Sequence, residues 1–145
     1  MANTELFRKI HEIISADPMK LEMSNWERRP IDAYREPDST IEQDLCGTTR
    51  CVAGWAVALT TGTPLFVGFS GVRHPAVKEL FRAHGLTFDD DFVDLGAELL
   101  GLDKTDAYRL FFSSDLRAAT VVGLFAEGQD EEAADYLNSP DRWRD

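Results

Sequence analysis

Apolar residues recur at helical spacing along most of this chain. Leu6, Phe7, Ile10, Ile13 and Ile14 share one face between a cap at Asn3 or Thr4 and the stop Asp17-Pro18, which predicts a first helix. Met19, Leu21, Met23 and Trp26 follow and are expected to pack across it. The stretch 27–45 then turns polar, with Pro30, Pro37 and the run Glu36-Pro37-Asp38-Ser39. It reads as a long loop, and loops beyond about 12–15 residues are often functional or mobile.

Thr48 or Thr49 is placed to cap a second helix through Cys51, Ala53, Ala56, Val57 and Leu59, closed by Thr60-Thr61-Gly62-Thr63-Pro64. Leu65–Phe69 is apolar and bounded by turn residues; it reads as a short strand with no evident partner nearby. Helical spacing returns at Pro75, with Val77, Leu80 and Phe81 inward and Gly85 as the closing cap. Asp90–Leu100 is next, with Phe92, Val93, Gly96, Leu99 and Leu100 inward. Gly101-Leu102-Asp103 turns the chain into a helix carrying Ala107, Leu110 and Phe111. Ser114 or Asp115 caps another, through Leu116, Ala119, Val122 and Phe125, that stops near Gly128, and Glu131–Leu137 adds a last one. The expected fold is mainly α: a single compact helical domain over 1–137 with about six helices, at most a minor β element near 65–69, and a flexible tail over 138–145.

Composition narrows the function. At 145 residues the chain is long enough to bury roughly 70% of its unfolded surface without a disulfide or metal. Nine Phe, three Tyr and three Trp argue against disorder. Fifteen basic against 26 acidic residues give a net charge of −11. That balance disfavours direct nucleic-acid binding, which rests on Lys and Arg neutralising phosphates, and disfavours an anionic membrane surface. It suits solubility, a basic protein partner, or mimicry of nucleic acid. No basic-then-apolar leader opens the sequence, and no apolar run approaches the ~20 residues of a membrane span. Two cysteines make no disulfide framework, so a reducing cytoplasm is the expected setting.

The densest chemistry lies in Cys46-Gly47-Thr48-Thr49-Arg50-Cys51-Val52-Ala53-Gly54-Trp55-Ala56. A thiol at a helix start next to Arg50 gains thiolate character, so Cys46 or Cys51 is a candidate nucleophile. His74 or His84 would serve as its base, and Asp89, Asp90 or Asp91 would orient that base. Thr48, Thr49 and Arg50 at the same helix start form a candidate site for a small anion, such as a host nucleotide signal. The competing interpretation is packing. Unpaired cysteine is commonly buried, Gly54 allows close approach in a run of small residues, and Trp55 covers the segment. No metal site is expected, because Cys46 and Cys51 lack a second Cys/His pair. Asp89-Asp90-Asp91 does not open a calcium loop either: Asp94 and Leu100 stand where Gly and Glu are needed. No cofactor motif occurs.

The string Cys46-Gly47-Thr48-x-x-Cys51-x-Ala53-Gly54-Trp55-Ala56, with Leu99-Leu100-Gly101-Leu102, Ala107-x-x-Leu110-Phe111 and the upstream Met23-x-x-Trp26, resembles a family of small uncharacterised proteins. That family belongs to tailed bacteriophages and their bacterial hosts, prominently actinobacterial phages. The resemblance covers about residues 6–112. Relatives follow Leu-Phe with Trp-Pro, whereas Phe112-Ser113-Ser114-Asp115 stands here. It implies a phage or prophage origin and a helical domain, and brings no established activity. With no complete catalytic constellation, the resulting expectation is a non-enzymatic accessory protein that binds a host or phage protein in the host cytoplasm. Trp26, Tyr34 and Trp55 are its candidate interface residues, and an aromatic helix at 107–112 offers a homodimer contact.

Overall fold

Asn3 starts the first helix, α1 (Thr4–Ala16), by accepting the Leu6 N–H through its side chain. Its own N–H and Nδ2 donate to the carbonyls of Leu100 and Leu99. One residue thus caps one helix and anchors it to the end of another. The computed structural model describes residues 2–29, 48–67, 72–87 and 91–138. Six further α-helices occur among them: α2 (Val52–Thr61), α3 (Pro75–Ala83), α4 (Phe92–Leu100), α5 (Lys104–Phe111), α6 (Asp115–Ala126) and α7 (Asp130–Asn138). A 3-10 turn spans Pro18–Lys20. Two antiparallel ladders complete the described structure: β1 (Glu27–Arg28) with β2 (Thr49–Arg50), and β3 (Phe66–Val67) with β4 (Val72–Arg73). The fold is mainly α with minor β.

The core forms around α2. Val52 to Ala58 are buried without interruption, as expected of a helix apolar on every side. It packs chiefly on α4, where a Cβ at Gly96 would lie 3.0 Å from the Ala53 Cβ and 2.9 Å from Phe111 Cζ. Glycine is therefore what lets these two helices approach. On the other side α1 packs along α6, with Phe7 stacked on Phe125 at 4.5 Å. No described helix is long and apolar enough to cross a membrane.

Several boundaries differ from expectation for physical reasons. Cys51, not Thr48 or Thr49, caps α2, because Thr49 and Arg50 are held in β2. The 65–69 segment has a partner after all: Phe66 pairs with Arg73 and Val67 with Val72, in strands too short to show a period. Asp91 caps α4, so that helix begins at Phe92 rather than Asp90. Leu116 is 77% exposed and Met19 79%, although both were expected inward. Val122 and Phe125 of the expected α6 stripe are buried, and Ala118 and Val121 complete it in place of Leu116 and the half-buried Ala119. Of the expected 27–45 loop, Glu27 and Arg28 form β1 and Arg29 is buried; the rest lies outside the described residues. Asn138, assigned to the tail, closes α7 and bonds Arg109 and Asp106 of α5.

Candidate functional site

Pairing of β1 with β2 brings Glu27 opposite Arg50 and Arg28 opposite Thr49. The Arg50 carbonyl accepts the Glu22 N–H at 3.1 Å, and the Asn25 carbonyl accepts the Cys51 N–H at 3.0 Å. Residues 21–28 are thereby laced along the entry to α2. Beneath the lacing, Arg50 Nε donates to Glu27 Oε2 at 2.7 Å, with both side chains wholly excluded from solvent. The same carboxylate accepts the backbone N–H groups of Leu65 at 2.8 Å and Phe66 at 3.3 Å. Arg29 Nη1 donates to the Phe66 carbonyl at 3.3 Å. Charges this deep are tolerated only when paired and hydrogen-bonded, and here the pair fixes β3 against β1 and β2. The Arg50 guanidinium also lies 4.6 Å from the centre of the Trp55 ring, whose Nε1 donates to the Lys20 carbonyl.

Each described residue of the cysteine segment has a place in this arrangement. Cys51 is 1% exposed, and its Sγ accepts the Gly54 N–H at 3.3 Å. Burial pushes the thiol up to about 11, so it stays protonated near neutrality, and the thiolate is the nucleophilic form. Gly54 sits directly against the Trp26 carbonyl, with no room for a Cβ. Trp55 is 2% exposed and belongs to the core. Thr49 Oγ1 donates to Glu22 Oε2 at 2.7 Å. Thr48 is buried, and its Oγ1 has no hydrogen-bond partner among the described residues.

The candidate bases are occupied elsewhere. His74 Nδ1 accepts the Ala76 N–H at 3.0 Å and caps α3. His84 Nδ1 lies 3.1 Å from Glu98 Oε2 on α4. Asp91 accepts the Val93 and Asp94 N–H groups. No hydrogen bond among the described residues joins Cys51 to a histidine, and no group of three or more His, Cys, Asp or Glu is placed there to hold a metal. Tyr34, Cys46, Asp89 and Asp90 lie outside the described residues.

The accessible chemistry is at the surface, between α5 and the segment before β1. Tyr108 on the outer side of α5 and Phe112, the residue that caps its end, meet with tilted rings, centres 4.5 Å apart, and are each 60% exposed. Phe112 also lines a cleft of about 240 Å³ with Met23, Ser24, Asn25, Trp26 and Phe111. Trp26 is half-buried and leans on Phe92 at 5.5 Å, which holds its ring in place. Asp115, the first residue of α6, accepts the Met23 N–H at 2.8 Å and pins the opposite wall. Sequence reasoning reached Trp26 and the aromatic helix separately; the cleft joining them depends on a tertiary contact without a local signal.

No family model, curated protein or solved structure matches this chain.

Proposed function

We propose that this chain is a small, acidic, phage-encoded accessory protein that acts without catalysis, by binding a host or phage protein in the host cytoplasm during host takeover or counter-defence. The motif resemblance supports the phage origin. The single observation that carries the binding role is the exposed Tyr108–Phe112 aromatic pair, continuous with the Trp26 cleft. Large aromatic side chains beside a preformed recess are the typical anchors of protein interfaces. The buried, protonated Cys51 offers no competing chemistry among the described residues. A net charge of −11 favours a basic partner over a second copy of the same chain.

The test is affinity capture from host extract with the wild-type chain and with a Tyr108→Ser/Phe112→Ser variant side by side. A protein retained by the wild type, confirmed with purified components and lost with the variant, supports the proposal. Equal retention by both places binding away from this face and overturns it.

A further inference from the structure

We infer that the Trp26–Phe112 cleft accepts an apolar side chain flanked by a cation, and so recognises a basic, amphipathic peptide segment. This rests on the protein-binding role proposed above. Three aromatic side chains line the cleft: Trp26, Phe111 and Phe112. The facing segment, Met23-Ser24-Asn25, is tied to two carboxylates as well as to backbone groups of Glu22 and Cys51. Asp115 accepts the Met23 N–H at 2.8 Å, while Glu22 Oε1 accepts from Ser24 Oγ at 3.2 Å and Asn25 Nδ2 at 2.9 Å.

Among the described residues no basic side chain lines the cleft. Arg28 contacts Glu22 at 3.3 Å, but its side chain is 70% exposed and faces only one of the two carboxylates. The recess therefore combines an aromatic lining with a rim of two carboxylates, Glu22 and Asp115, bonded to the lining residues Met23, Ser24 and Asn25 from outside it. Apolar burial would supply attraction, and the rim would select the charge of the flanking residues. An acidic flank would meet both the rim and the net charge of −11.

The experiment titrates isotope-labelled full-length protein with three synthetic peptides, followed by amide and indole NMR shifts. The first carries a Leu-Phe pair flanked by lysines, the second has glutamates in place of the lysines, and the third keeps the lysines around Ser-Ser. The lysine-flanked Leu-Phe peptide is expected to shift Met23, Ser24, Asn25 and the Trp26 indole. The other two should bind at least about tenfold more weakly. Asp115→Asn and Glu22→Gln, which each keep an acceptor oxygen, should together reduce the lysine-over-glutamate preference to within about threefold. Equal binding of the glutamate peptide at the cleft overturns the inference while leaving the docking role intact. Equal binding of the serine peptide reduces the effect to net charge and overturns it too. If no peptide shifts the cleft, the inference fails, and the capture experiment above decides the docking role separately.

Discussion

Glu27 and Arg50, 23 residues apart in sequence, meet at 2.7 Å with both side chains fully buried. Glu27 uses the same carboxylate to hold Leu65 and Phe66, so one ion pair fixes β1, β2 and β3. Removing one member of a buried pair is far more damaging than the pair's net contribution suggests. Glu27→Gln keeps the shape and an acceptor oxygen, and should lower the unfolding free energy by about 3 kcal/mol. Glu27→Leu also strips the acceptor from the Leu65 N–H and should lose about 1–2 kcal/mol more. Urea denaturation of both variants checks this; equal losses would show that the backbone bonds contribute nothing.

Two helical glycines should respond oppositely to alanine. At Gly54 a Cβ collides with the Trp26 carbonyl, and backbone cannot swing aside as a flexible side chain can. Gly54→Ala should therefore destabilise by about 2–3 kcal/mol or more. At Gly123, in α6, the nearest atom to an added Cβ is His11 Nε2 at 3.4 Å, an ordinary contact. Gly123→Ala should be neutral or stabilise by up to about 1 kcal/mol through helix propensity. Thermal midpoints of the two variants settle the contrast.

Glu22 supplies a pH dependence of known sign. Its carboxylate is held below its usual value of 4.5, first by the Thr49 hydroxyl and then by Asn25, Ser24 and the Arg28 charge, against the opposing effect of burial. A depressed folded value means that the stabilisation is fully present above pH 4.5 and is lost as pH falls through the lower folded value. Urea midpoints of wild type and Glu22→Gln should therefore converge on acidification below about pH 4.5. A constant difference down to pH 2 would contradict this role.

Much of the helical framework is legible in the sequence because caps and stripes are local. Asn3, Asp103 and Ser114 each accept a backbone N–H three residues on, as their residue types predict. Leu116 shows the limit of a stripe: α6 packs along α1 through Phe125 and its neighbours, and Leu116 at its start is left outward. The candidate site was harder to see. Arg50 reads locally as an exposed cation at a helix start, since arginine is rarely fully buried without a partner. Its partner lies across a polar stretch that gives no sign of strand pairing. Gly54 was the available clue, because a glycine inside an otherwise apolar helix marks a close backbone approach.

The outer face of α5 should be dispensable for folding. Tyr108 and Phe112 are mostly exposed, and an i,i+4 aromatic pair stabilises a helix by only about 0.2–0.5 kcal/mol. The Tyr108→Ser/Phe112→Ser variant should unfold within about 1 kcal/mol of wild type in urea. A much larger loss would make the pair a structural element rather than a docking surface.

The central claim is that the segment around Cys51 builds the core, leaving function to the surface. Iodoacetamide labelling of the native chain from pH 5 to 9, resolved by mass spectrometry to Cys51, tests this most directly. With its thiol buried and pushed up to about 11, Cys51 should stay unmodified across that range and react only when denaturant opens the fold. Rapid native labelling of Cys51 near neutral pH would contradict the account and return the segment to candidate nucleophile chemistry.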